Sequence, residues 1–268
     1  MPRPLDRYED LKRILSPMGS AAVAFSGGAD STLLLKAAYD ALGERAMAVT
    51  VLSYAFPQDE ADDARRICRE IGARHETIEF DVLSIPKFAE NPPDRCYHCK
   101  KALFTAICEL AHANGMTAVV EGSNTDDDGD YRPGRRAIAE LGVKSPLRDA
   151  GLSKTDIHEC LRELGVSTGV RPSSACLASR FPYGERITRD GLLRVGEAER
   201  FLRTIAPRLS QLRVRSHEGV ARIEADAAAM DAVFGRRAEV AAELRRLGFS
   251  YISLDLEGYR TGSLNEVL

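Results

Sequence analysis

The chain runs to 268 residues, 44% hydrophobic and 29% charged, with a net charge of -3; this length suits one large domain or two small ones, and the acidic balance speaks against the broad basic face that nucleic-acid binding needs. No apolar run approaches the roughly 20 residues of a membrane-crossing helix, and the opening MPRPLDRYEDLKRIL is charged and amphipathic, without the apolar core of a signal peptide, so a cytoplasmic location is expected. Six cysteines in a chain of this size do not make a disulfide framework, which leaves their positions as the point of interest.

Apolar spacing predicts an amphipathic helix over 5–16, with Leu5, Tyr8, Leu11, Ile14 and Leu15 on one face. AAVAF at 21–25 reads as a short strand and, after a glycine pair, STLLLKAAYDAL as a buried helix. A second strand (45–52), a helix facing Ala61, Ala64, Ile67, Cys68 and Ile71 inward, a third strand (73–81), a helix closed by Gly115 and a fourth strand (117–123) follow. The β-α-β-α-β-α-β alternation predicts an α/β fold, a parallel sheet covered by helices with ligand loops at the carboxyl ends of its strands. SGGADST and EGSNTDDDGD both leave such ends, so the two loops are expected to face each other across one crevice. Beyond them comes a helix capped by Ser153 and Asp156, then the Pro/Ser/Gly-rich STGVRPSSACLASRFPYGERIT. A further helix, a hairpin of QLRVRSH and GVARIEA turning at Glu218-Gly219, one long helix over 227–248 and a last strand complete the chain. The expected division is a first domain over 1–184 and a smaller α+β domain over 185–268.

The loop FSGGADST carries the first chemical signal. Glycines let a backbone approach an anion, consecutive N–H groups form an anion nest, and the following helix aims its positive end at the same point. Ser26, Gly27, Gly28, Ser31 and Thr32 are thus candidate phosphate ligands. The lysine of a Walker A loop is absent, and Asp30 puts a carboxylate beside the anion, which implies Mg²⁺ between them. The bland alternative is a glycine turn with a Ser/Asp helix cap. Ser26-Gly27-Gly28-Ala29-Asp30-Ser31 resembles the PP-loop of the ATP pyrophosphatases, a superfamily that splits ATP between its α- and β-phosphates to adenylate an acyl or carbonyl oxygen.

The cysteines supply the second signal. Cys176 lies among Ser173, Ser174, Ala175 and Ala178, with Arg171 and Arg180 near; small neighbours leave a thiol accessible and cations favour its thiolate. A buried core thiol is the alternative. Cys96 and Cys99 form a CxxC, a pattern shared by redox pairs, zinc and cluster half-sites and core thiols. No second CxxC follows. The pair plus Cys176 makes three thiols, a set that leaves one iron of a [4Fe–4S] cluster open for an extra sulfide; zinc through His98 is the other metal reading. Cys68, Cys108 and Cys160 fall at apolar helix positions and read as core.

SGGADS, RCYHCK, EGSNTDDDGDYRPG and RPSSACLASRFPYGERIT together resemble, over nearly the whole chain, the LarE branch of the superfamily: ATP-dependent sulfur transferases of nickel-pincer cofactor biosynthesis. That resemblance implies a pyridinium-3,5-dicarboxylate mononucleotide substrate, adenylation of a carboxylate and replacement by sulfur to give a thiocarboxylate. It implies two modes of supply: a [4Fe–4S] cluster on Cys96, Cys99 and Cys176 that relays sulfide, or Cys176 giving up its own sulfur once and becoming dehydroalanine. The presence of all three cysteines points to the cluster. It further implies a homo-oligomer, trimeric or hexameric. Asp30 is expected to arrange Mg²⁺, and the loop at the carboxyl end of the fourth strand puts Gly122 and Asp126 beside ATP, with Asp127 and Asp128 as further metal or substrate contacts; a solvated acidic loop is the alternative. A substrate with a phosphate and two carboxylates calls for cations, for which Arg180, Arg186, Arg213 and Arg215 are the candidates; Arg213 and Arg215 alternate on one strand face, a spacing that also fits a charged outer face. Arg132, Arg135 and Arg136 are weaker candidates, and Glu197, Glu199 and Glu224 a third acidic group. Three rivals remain: a tRNA-thiolating PP-loop enzyme, which calls for a basic face; an ammonia-using ligase, which leaves the cysteines idle; and a nucleotide-binding protein with structural zinc.

Overall fold

The computed structural model describes residues 4–56, 59–129, 134–166, 176–206, 211–260 and 262–263. In chain order the elements are α1 (Pro4–Leu15), β1 (Ala21–Ala24), α2 (Ala29–Leu42), β2 (Ala46–Leu52), α3 (Asp59–Ile71), β3 (Arg74–Glu79), α4 (Pro86–Ala89), α5 (Arg95–Ala113), β4 (Ala118–Val120), α6 (Gly134–Glu140), α7 (Pro146–Asp149), α8 (Lys154–Glu163), α9 (Arg189–Ile205), β5 (Leu212–His217), β6 (Val220–Ala225), α10 (Ala227–Gly235), α11 (Arg237–Arg246) and β7 (Tyr251–Leu254). Among the described residues no helix is long and apolar enough to cross a membrane. The chain folds into two compact units. One comprises Met1–Ser53, Gln58–Phe80 and Cys96–Gly169; the other comprises Tyr54–Pro57, Asp81–Arg95 and Val170–Leu268.

The first unit is an α/β sheet in the order β3-β2-β1-β4, parallel throughout. Its central strands are apolar at every position of β1 and nearly every one of β2, as a sheet buried on both faces requires. Ala21 and Val23 point with Ala46 and Ala48 into a core shared with Leu11, Leu33, Leu34 and Ile157, while Ala22, Met47 and Val49 point the other way, against Phe104, Ile107 and Ile138. The strand order reverses between β1 and β4, the place where open α/β sheets form a ligand crevice. α8 begins on a reciprocal cap: Ser153 Oγ accepts from the Asp156 N–H at 3.2 Å, and the Asp156 carboxylate accepts from the Ser153 N–H at 2.9 Å.

The second unit carries the sheet β5-β6-β7, an antiparallel hairpin extended by a parallel third strand, with α9 packed on β5. Glu218 and Gly219 both take positive φ (44° and 92°), the primed turn that matches strand twist. The single helix expected over 227–248 is two helices. Gly235, the weakest helix former of the run, ends α10, and Arg236 at φ -108°, ψ 24° breaks the helical path before α11 starts.

Candidate active site

The nucleotide loop is built by the junction of β1 and α2. Gly27 sits at φ 77°, and a β-carbon there would lie 3.4 Å from the Ala64 amide, so the turn needs glycine. Gly28 caps α2 in extended backbone and brings no side chain to the cap, which leaves the first-turn N–H groups facing outward for an anion. Ser26 and Ser31 hydroxyls lie 3.2 Å apart, and Ser31 Oγ donates to the Gly28 carbonyl at 3.1 Å, which holds the loop open as a cradle. Thr32 is wholly buried, and its hydroxyl has no partner among the described residues.

The loop after β4 comes against this cradle. A β-carbon on Gly122 would lie 3.3 Å from both Asp30 Cβ and the Ser31 amide, so only glycine permits this approach. Burial, and then the Asp127 carboxylate, push the Asp30 carboxyl above its usual range, against the pull of Lys154, His158 and Asn124. Asp30 and Asp127 put two carboxylates close together, and buried Asn124 steadies the loop beside them, its Oδ1 accepting from the Asp126 N–H at 3.0 Å and its side chain hydrogen-bonded to Asp30. Mg²⁺ takes one or two carboxylates plus phosphates, so this donor set fits it. Of the acidic run, Asp127 is the residue beside Asp30. Asp126, the one expected at the nucleotide, is exposed and accepts from the Lys154 N–H at 2.8 Å, at the start of α8. Arg135 donates to the Asp127 carbonyl at 3.2 Å, and Arg136 lies over the Tyr97 ring at 3.9 Å, so both brace the structure; Arg132 lies outside the described residues. Glu121 is buried and accepts from Ser123 and Ser145 hydroxyls at 2.9 and 2.5 Å, fixing the root of the loop.

Cys96 and Cys99 share one face of the first turn of α5, Cys96 exposed and Cys99 buried. Cys176, in the second unit, is half-buried and begins the turn Leu177–Arg180; its carbonyl accepts from the Ser179 N–H at 3.0 Å and from Ser179 Oγ at 2.8 Å. Arg171, Ser173, Ser174 and Ala175 lie outside the described residues. Among the described residues no three His, Cys, Asp or Glu side chains are grouped as a metal ion would need. Burial pushes the Cys68 thiol up to about 12 and the Cys160 thiol up to about 11, and holds Cys108 above its usual range, the behaviour of core thiols.

Three of the four candidate arginines are interior. Arg180, with no exposed surface, grips Glu199 by two bonds of 2.7 and 2.9 Å and donates to Ser179 Oγ at 2.7 Å. Burial would raise Glu199, yet Arg180 holds its carboxyl below the usual range. Arg215 pairs with Glu224 at 2.9 Å and donates to the Ser179 carbonyl at 2.6 Å. Arg213 lies over the Tyr259 ring at 5.2 Å, where burial and Arg180 push its guanidinium below the usual range. Arg186 is exposed. Glu197 pairs with Arg200 on the outer face of α9 and stays apart from Glu199 and Glu224. The turn that follows Cys176 is therefore clamped on Ser179 by two buried ion pairs.

No family model matches the chain. It is 40% identical over 267 residues to an uncharacterized protein of Synechocystis sp., covering 98% of both chains. It is 38% identical over 261 residues to the pyridinium-3,5-bisthiocarboxylic acid mononucleotide synthase of Lactiplantibacillus plantarum, covering 97% of this chain and 91% of that one. The chain belongs to the LarE family. As a member it is a PP-loop enzyme, an ATP-dependent sulfurtransferase. Likeness to the tRNA-specific 2-thiouridylase of Rhizobium leguminosarum is more distant, 24% identity with 62% of this chain and 53% of that one covered. Within the LarE frame, sequence reasoning passed over Ser179 and Asn124 and did not separate Asp127 from Asp126 and Asp128. Ser179 and Asn124 carry no chemical signature of their own, and Asp127 is one of three adjacent aspartates that only geometry separates.

Proposed function

We propose that the protein adenylates a carboxylate of a pyridinium-3,5-dicarboxylate mononucleotide and replaces the adenylated oxygen with sulfur, giving a thiocarboxylate. The observation that carries the adenylation half is the cradle: an anion nest between Gly27 and Thr32 with the Asp30–Asp127 pair against it. In this reading Ser26, Gly27, Gly28, Ser31 and Thr32 hold the triphosphate, and Asp30 and Asp127 would hold Mg²⁺. When bound there, Mg²⁺ would supply positive charge against the departing pyrophosphate. The carboxylate oxygen bonds to the α-phosphorus as the α–β bridge breaks, and pyrophosphate leaves. A sulfur nucleophile then attacks the acyl carbon and AMP departs, since AMP is a far better leaving group than oxide. Arg186, which is exposed, would meet substrate anions in this reading. Arg180 and Arg215, paired with Glu199 and Glu224, hold the turn that follows Cys176 through Ser179, and with Arg213 they would supply the positive charge that a substrate with a phosphate and two carboxylates needs.

For the sulfur source, Cys96, Cys99 and Cys176 would be the thiol ligands of a [4Fe–4S] cluster, which when bound offers a sulfide on its open iron. The three thiols suit that group chemically. In the second reading Cys176 attacks the acyl carbon and displaces AMP; a base then removes the Cys176 α-proton and the Cβ–Sγ bond breaks, releasing the thiocarboxylate and leaving dehydroalanine. A homo-oligomer, trimer or hexamer, belongs to this reading through the family resemblance. Anaerobic protein, assayed for iron and sulfide and incubated with ATP, Mg²⁺ and the nucleotide, separates the two sources. The single-use source predicts one product per chain and loss of the mass of hydrogen sulfide; the cluster predicts turnover without loss.

A further inference from the structure

The segment that leads into the CxxC pair is locked to the segment that leaves the Cys176 turn. Asn91 is wholly buried and held at φ 58°, a conformation most side chains avoid. Its amide Nδ2 donates to the Pro182 carbonyl at 2.7 Å and the Glu185 carbonyl at 3.0 Å, with the Phe181 carbonyl at 3.4 Å. Its own carbonyl accepts from the Gly184 N–H at 2.9 Å, and the Ala89 carbonyl accepts from the Ile187 N–H at 2.8 Å. Its Oδ1 accepts from Arg95. Arg95 is itself buried and lies over the Tyr183 ring at 5.0 Å. One amide side chain thus ties residues 181–185, which follow Arg180, to Arg95, the residue before Cys96.

We propose that Asn91, with Arg95, is a positioning residue for sulfur delivery. Within the second unit it fixes the exit of the Cys176 turn against residues 91–95, the segment that runs up to Cys96, and it acts on the sulfur step without touching adenylation. A side chain that only filled space would not need both amide ends engaged and a left-handed backbone; these features specify one orientation of two segments that lie ~90 residues apart in the chain. The inference rests on the sulfur-transfer reading above.

The test uses the full chain with Asn91→Gly, which keeps the backbone conformation and removes the side-chain bonds. Asn91→Asp, which keeps the acceptor for Arg95 and loses the donor, is the second variant. Each is incubated with ATP, Mg²⁺ and the dicarboxylate nucleotide, and pyrophosphate release is measured beside sulfur-bearing product. Iodoacetamide labelling of Cys176 and Cys96 is followed by peptide mass spectrometry. The expected result is pyrophosphate release within about twofold of wild type, product formation down by about tenfold or more, and faster labelling of Cys176, since small misplacements at a reacting group are costly. Product formation within about twofold of wild type in either folded variant, or equal falls in both steps, overturns the inference. Wild-type protein that releases no pyrophosphate defeats the proposed function instead. Should the glycine variant not fold, Asn91→Asp and Arg95→Lys carry the same comparison.

Discussion

Two carboxylates define the chemistry at the scale of single residues. Asp30 is held mostly out of water next to Asp127, so its folded form keeps a proton more tightly than the unfolded chain does. The stability it contributes is therefore present at low pH and is lost as pH rises through its raised range; at neutral pH the ionised group is a cost. Asp30→Asn is expected to leave the melting midpoint unchanged or raised while substrate-dependent pyrophosphate release falls by about 10²-fold or more. Calorimetry beside a pyrophosphate assay checks both. Glu199 runs the other way. Arg180 holds its carboxyl low, so its contribution is present above the ordinary glutamate range and is lost as pH falls through the lowered one. Arg180→Ala strands a buried carboxylate and is expected to cost about 3–5 kcal/mol in urea unfolding. Glu199→Gln should flatten the acid limb of stability.

Elements bring these residues together through close backbone approach. Gly122→Ala inserts a β-carbon 3.3 Å from the start of α2 and must push the loop after β4 off the nucleotide cradle. Steady-state kinetics should show KM for ATP raised by about tenfold, with a smaller change in stability. The β5–β6 hairpin makes the opposite kind of prediction. Glu218 occupies a left-handed position that asparagine tolerates better, and Glu218→Asn is expected to stabilise the protein by about 0.5–1 kcal/mol in denaturant titration. The strands of the first sheet were legible because a sheet covered on both faces is written as unbroken apolar runs, as in AAVA and AMAVTVL. The cap at Ser153 was legible because it is local. The break at Arg236 was not, because apolar periodicity continues across Gly235 and only backbone preference interrupts it.

At the scale of the molecule, the PP-loop and the three cysteines were readable as spaced residue types. Their supports were not. Segments 54–57 and 81–95 fold with the C-terminal half through bonds such as Leu177 N–H to the Ala55 carbonyl at 2.8 Å and through Asn91, contacts with no periodicity to betray them. The ion pairs Arg180–Glu199 and Arg215–Glu224 likewise join charged residues that, read in line, look like solvated faces. One unit carries the PP-loop cradle and the other the turn of Cys176, so the proposed function would divide its two halves between them. The most direct measurement is a single-turnover reaction of anaerobic protein with ATP, Mg²⁺ and the pyridinium dicarboxylate nucleotide, comparing wild type with Cys176→Ala for pyrophosphate, AMP and product. The account predicts that Cys176→Ala still releases pyrophosphate but forms no sulfur-bearing product; sulfur transfer at the wild-type level by Cys176→Ala would contradict it.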